Sequence, residues 1–189
     1  MEVLNLFPTQ IYKDFVNDNM KNDLLELCNH YTSVSDTNLL HIENFPSTLS
    51  NDDLSYPINT SPVVKMVFNY LYEVANQFTQ QRNQKLNTDS LQPYGFFSDM
   101  KKGAYLRKHT HKDCRFSGII YLEVGDNVPH LLFHDPRPHT TFEPSDYGGT
   151  YIQSIKPENG MLLLWDSWVC HEIMHKDNDE PRKVFSFNL

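Results

Sequence analysis

Among nine histidines in this chain, two stand at His109 and His111 with only Thr110 between them, and a third, His171, lies far downstream. On an extended backbone, residues two apart project from one face, so His109 and His111 can offer two imidazoles to one metal ion while Thr110 turns away. His171 follows the apolar run Gly160-Met-Leu-Leu-Leu-Trp165. In an antiparallel barrel such a residue can return opposite the pair. Three protein ligands with other coordination positions left open make a catalytic type of site rather than a closed structural one. The competing reading is two polar side chains at a sheet edge.

The last segment adds a second chemical element. At period two, Arg182, Val184, Ser186 and Asn188 share one face, and Lys183, Phe185 and Phe187 share the other. The phenylalanine face suits the core, which directs Arg182 and Ser186 toward the barrel interior. A buried guanidinium needs an anionic partner. A dicarboxylate co-substrate would provide one, pairing bidentately with the arginine at its far end while its 2-oxo acid end chelates a metal. A surface arginine opening an edge strand after Pro181 is the alternative.

These residues need a scaffold, and the pattern of the chain supplies it. Beyond about residue 87, short runs of Val, Ile, Tyr, Phe and Leu alternate with turn residues: 94–100, 104–109, 116–124, 130–135, 150–155, 161–165, 169–175 and 183–189. Strands this short and closely spaced predict an antiparallel jelly roll. Upstream, Asn17 can cap a helix carrying Leu24, Leu25 and Cys28, and Ser61-Pro62 opens a second with Val63, Val67, Tyr70, Leu71, Val74 and Phe78 at helical spacing. Residues 33–56, rich in Ser, Thr, Asn and Asp, read as loop. The expected architecture is mainly β with α: a double-stranded β-helix with N-terminal helices packed on one sheet. It forms a single domain over 1–189, with 1–90 as a helical and loop support and 91–189 as the jelly-roll core. The stretch from Pro136 to Gly149 is long enough to be a flap over the barrel mouth.

Composition narrows the function classes. A net charge of −8 argues against general nucleic-acid binding, which depends on Lys and Arg neutralising phosphates. No apolar run is long enough to span a membrane, and the N-terminus lacks a signal peptide's basic opening, so a cytoplasmic protein without membrane association is expected. Cys28, Cys114 and Cys170 are odd in number and form no CxxC, so reduced thiols are expected. Oligomeric state has no signature in the sequence.

Taken together, His109-x-His111, Ser117-Gly-Ile-Ile-Tyr-Leu, His134-Asp-Pro-Arg-Pro, Gly160, Trp165-Asp-Ser-Trp-Val-Cys-His171 and Arg182 with the terminal Ser-Phe-Asn resemble the 2-oxoglutarate/iron(II) oxygenase family, in its prolyl-hydroxylase-like part. The match runs from about Tyr94 to Leu189. The resemblance implies iron(II) held by His109 and His171, and 2-oxoglutarate held by Arg182 with help from Ser186 and Tyr121. It also implies oxidation, most simply hydroxylation, of a small-molecule or peptide substrate, with release of succinate and CO2. The family's usual middle ligand is a carboxylate two residues after the first histidine, and His111 stands there. Either His111 serves as the third ligand, or the frame slips and Asp113 completes His111-Lys-Asp. Arg137 and Trp168 are candidate substrate contacts. Two rivals remain: a cupin-type metalloenzyme, whose expected glutamate is replaced by Arg115 and Phe116 and which has no need of Arg182, and a non-catalytic binding barrel.

Overall fold

The structure, a computed structural model, describes residues 8–35, 38, 43–49, 52–137 and 151–189. In chain order its elements are β1 (Ile11–Phe15), α1 (Asp18–Val34), α2 (Asp52–Thr60), α3 (Pro62–Gln81), β2 (Tyr94–Asp99), β3 (Leu106–His109), β4 (Phe116–Val124), β5 (Leu131–His134), β6 (Ile152–Ile155), β7 (Met161–Asp166), β8 (His171–Ile173) and β9 (Arg182–Asn188). The strands form two antiparallel sheets, β1-β7-β4-β9-β2 and β3-β8-β5-β6. This is the jelly-roll architecture that the strand pattern predicts. β1, from the N-terminal region, is an edge strand of the larger sheet beside β7, so the support region and the jelly roll share one sheet.

Alternation along the strands divides the interior into two cores. Phe97, Phe116, Ile120, Leu122, Leu162, Leu164, Phe185 and Phe187 face one way and pack with Leu24, Cys28, Val67, Leu71 and Phe78 of α1 and α3. Each such large apolar side chain, fully buried, contributes about 1.5–3 kcal/mol. Ile119, Tyr121, Leu163, Trp165 and Val184 face the other way, toward Leu131, Phe133 and Ile173 of the smaller sheet. The site lies between the two sheets. Close ring packing on the helix side depends on Gly118, where a Cβ would come within 2.1 Å of the Phe187 ring and 2.7 Å of the Leu163 carbonyl oxygen.

Both expected helix starts are present with their caps. Asn17 Oδ1 accepts from the Met20 amide at 2.9 Å, and Ser61 Oγ accepts from the Val64 amide at 3.1 Å, which satisfies donors that have no partner within the helix. The stretch expected as loop differs in two places. Residues 52–60 form α2 despite Pro57 inside it. Tertiary packing overrides weak propensity there: Ile58 is fully buried, and the Asn59 side chain accepts from the Gly95 amide at 2.8 Å and donates to the Gly95 carbonyl at 3.2 Å. Segment 43–49 runs along β2, the Thr48 amide donating to the Phe97 carbonyl and the Asp99 amide to the Pro46 carbonyl. The expected flap, apart from Pro136 and Arg137, falls outside the described residues.

Candidate active site

The antiparallel pairing of β3 with β8 sets His109 directly opposite His171. His111 follows in a segment tied to the turn after β7, where its amide donates to the Ser167 carbonyl at 3.0 Å. The imidazole centroids of His109 and His171 are 4.3 Å apart, and His111 is 5.1 Å from each. One nitrogen from each ring falls within 4.8 Å of the others, and this is the group of potential metal ligands found among the described residues.

Hydrogen bonds decide which nitrogens those are. His109 Nδ1 contacts the Arg107 carbonyl at 2.8 Å, His171 Nδ1 the Val169 carbonyl at 3.0 Å, and His111 Nδ1 the Asn188 Oδ1 at 2.8 Å. These oxygens only accept, so each Nδ1 carries the hydrogen and each Nε2 keeps its lone pair. Such outer contacts fix the tautomer and aim of metal-binding histidines. Two of the three are the same contact, from a histidine to the carbonyl two residues earlier. The third is tertiary: fully buried Asn188, at the end of β9, also accepts from the Ser117 hydroxyl at 2.7 Å and from Cys114 Sγ at 3.5 Å. His111 Nε2 is buried with no hydrogen-bond partner. Burial and the neighbouring imidazoles push the His171 pKa down to about 3, and burial lowers those of His109 and His111, so neutral rings are favoured.

The histidines line a cavity of about 320 Å³ that also contains Arg182, Ser186 and Trp165. No Asp or Glu is among its described lining residues. Arg182 is completely buried, its Nη1 and Nη2 lack partners, and only Nε approaches an acceptor, the Pro129 carbonyl at a weak 3.5 Å. Its guanidinium carbon lies 5.4 Å from the centroid of the Tyr121 ring, whose buried hydroxyl makes no well-aligned hydrogen bond and has Arg182 as its electrostatic neighbour. Burial disfavours both charged forms, lowering the arginine pKa and raising the tyrosine pKa. A cavity with an unpaired cation, unused donors and no acid among its described lining residues suits an anion.

The other residues singled out in the sequence lie elsewhere. Asp113 is exposed in the left-handed region at φ 58° and does not join the histidine group. Trp168 is 50% exposed on the loop between β7 and β8. Arg137 is exposed and binds the Asp135 carboxylate through Nε at 2.9 Å. His130, His134 and His175 pair with Ser154, Glu172 and Asp177 respectively. Asn188 was legible only as a member of the Arg182 face. Phe45 and Leu49, which also line the cavity, carry no signal in a stretch that reads as polar loop.

Residues 97–188 match a protein family described as "Putative 2OG-Fe(II) oxygenase". No curated protein matches the sequence. Among solved structures, a Pseudomonas putida prolyl-4-hydroxylase superposes with a TM-score of 0.62 at 13% identity, over 96% of this chain and 92% of that one. HygX from Streptomyces hygroscopicus, with nickel and 2-oxoglutarate bound, gives 0.59 at 10% identity, covering 95% and 83%. An oxidoreductase of the 2OG-Fe(II) oxygenase family from Burkholderia pseudomallei gives 0.55 at 10% identity, covering 93% and 82%. At these identities the structural likeness establishes the double-stranded β-helix fold, and the family match places residues 97–188, the strands that carry His109, His111, His171 and Arg182, alongside the 2OG-Fe(II) oxygenase family.

Proposed function

We propose that the protein is a 2-oxoglutarate-dependent oxygenase whose iron(II) is held by three neutral imidazoles, His109, His111 and His171, and whose co-substrate is gripped by Arg182. The observation that carries this reading is a completely buried arginine whose terminal nitrogens lack hydrogen-bond partners, in the same cavity as three convergent histidines and with no acid among the described lining residues. Imidazole suits iron, and three ligands leave room for a chelating co-substrate. With no carboxylate in the set, the ion would keep its full double charge, and together with Arg182 it favours a dianion such as 2-oxoglutarate. The nickel and 2-oxoglutarate bound in HygX support the same pairing of metal and ligand on this fold.

When bound, iron(II) and 2-oxoglutarate would supply, with O2 as the oxidant, oxidative decarboxylation to succinate and CO2, one oxygen atom going to succinate and the other to a substrate C–H bond. The chain's part is positioning. The carbonyls of Arg107 and Val169 and the amide oxygen of Asn188 hold the three imidazoles in the ligating tautomer. Arg182 would take the far carboxylate of the co-substrate bidentately, with the Tyr121 and Ser186 hydroxyls as further donors. The apolar walls, from Ile119, Leu131, Ile173 and Val184, exclude water from those charged contacts and strengthen them. The substrate is a small molecule or a peptide, and Phe45 and Leu49 add to the apolar lining it would meet. No helix among the described residues is long and apolar enough to cross a membrane, and Cys28, Cys114 and Cys170 are free thiols, which suits a reducing compartment such as the cytoplasm.

The test is succinate formation from 2-oxoglutarate by iron(II)-loaded protein under oxygen, followed by proton NMR. Slow uncoupled turnover in the wild type that disappears in His171→Ala and Arg182→Met is expected. Iron binding without succinate formation, even with substrate mixtures present, would overturn the assignment in favour of a metalloprotein that makes no use of 2-oxoglutarate.

A further inference from the structure

Among the described residues that line the cavity, one buried donor remains unused once the histidines and Arg182 have been assigned. Trp165, on β7, is 3% exposed and lines the cavity, yet its Nε1–H is buried with no acceptor. Its ring meets His171 at 4.9 Å and Phe133 at 5.1 Å, both edge-to-face, with interplanar angles of 70° and 78°. A phenylalanine could fill this aromatic slot without burying an idle donor. Buried indole N–H groups find partners as a rule, so an unsatisfied one beside a cavity with no acid among its described lining residues points to a ligand atom as its acceptor.

The placement indicates which end of a ligand that is. Arg182 and Tyr121 form one cluster of unused donors, while Trp165 packs against a proposed metal ligand. We propose that the Trp165 Nε1–H donates a hydrogen bond to an oxygen at the 2-oxo acid end of 2-oxoglutarate, so that the diacid is held by protein donors at both ends. This rests on the oxygenase reading above and adds to it a specificity-determining contact. A ligand carrying only the far carboxylate would satisfy Arg182 and leave the indole idle. The trapped N–H therefore selects for 2-oxo acids over simple acids of the same length.

The chain has two tryptophans, so its proton–nitrogen spectrum contains two indole signals, and Trp168→Phe, a change at a half-exposed ring, assigns them without touching Trp165. Zinc(II)-loaded protein, which is diamagnetic, is titrated with 2-oxoglutarate. The expected result is a downfield shift and slowed solvent exchange of the Trp165 indole signal, with the Trp168 signal unmoved. Trp165→Phe should weaken 2-oxoglutarate binding about ten- to a hundredfold, the worth of one hydrogen bond to a charged acceptor, at unchanged zinc affinity. If 2-oxoglutarate saturates backbone signals around the cavity while the Trp165 indole stays still, the inference is overturned and the oxygenase reading survives. If no signal moves at all, the co-substrate reading fails and the inference falls with it.

Discussion

Replacing Arg182 by methionine should separate function from stability. The guanidinium is completely buried, its two terminal nitrogens have no partner, and the unbranched thioether can follow the same path through the core. Two charge-assisted hydrogen bonds to a carboxylate are worth about 1.5–3 kcal/mol each. Losing them should cost about 3–5 kcal/mol of binding, which is at least a hundredfold in the dissociation constant for 2-oxoglutarate. In the absence of ligand the same change removes a buried, unpaired charge. Exchanging buried charges for packed apolar side chains stabilises by roughly 1–4 kcal/mol. The variant should therefore resist urea better than the wild type when both are free of metal and co-substrate. Calorimetric titration of the metal-loaded proteins gives the first quantity and urea denaturation the second. A variant that binds 2-oxoglutarate like the wild type, or that is less stable when empty, would refute the reasoning, because Arg182 would then have an internal partner.

Asn188→Ala leaves His111 free to rotate and change tautomer, so metal affinity by calorimetry should fall about 10–100-fold, as for other outer-shell contacts, with the fold intact by circular dichroism. For the metal-free protein, burial and the neighbouring imidazoles push the His171 pKa down to about 3 in the folded state, against 6.5 for a solvent-exposed imidazole, so between those values the unfolded chain binds the extra proton. Its contribution to stability is complete above pH 6.5 and is lost progressively as the pH falls toward 3. The deficit at pH 5 is about 2 kcal/mol. Urea midpoints at pH 7.5 and 5.0 should show this slope, and His171→Phe should flatten it. Gly118→Ala drives a methyl group into the Phe187 ring and the Leu163 carbonyl, and should cost about 2–3 kcal/mol, seen as a melting temperature lower by about 5–10 °C.

The parts of the site that were legible in the sequence are those set by period and pairing. Alternation on β9 separated Arg182, Val184, Ser186 and Asn188 from Phe185 and Phe187, because a strand between a helix layer and a second sheet must present two different faces. The pair His109 and His111 was visible for the same reason, and the opposition of His171 follows from antiparallel return. What the sequence concealed depends on tertiary contact. Asn188 bonds His111 only because β9 and β4 bring Ser117, Asn188 and the segment after β3 together. The helix at 52–60 is held by the burial of Ile58 and by Asn59 bonding Gly95, against a local sequence of Asp, Ser and Pro. Phe45 and Leu49 reach the cavity because residues 46–48 hydrogen-bond along β2, a pairing no periodicity announces.

The most direct test of the central claim is to load the protein anaerobically with iron(II), add 2-oxoglutarate, and record the visible spectrum for the wild type and His111→Ala. A weak charge-transfer band that appears in the wild type, saturates with one equivalent of 2-oxoglutarate and is lost with His111 is the predicted result. A band that persists unchanged without His111 would contradict the three-histidine centre, and iron binding with no band in the wild type would contradict the chelation of 2-oxoglutarate at it.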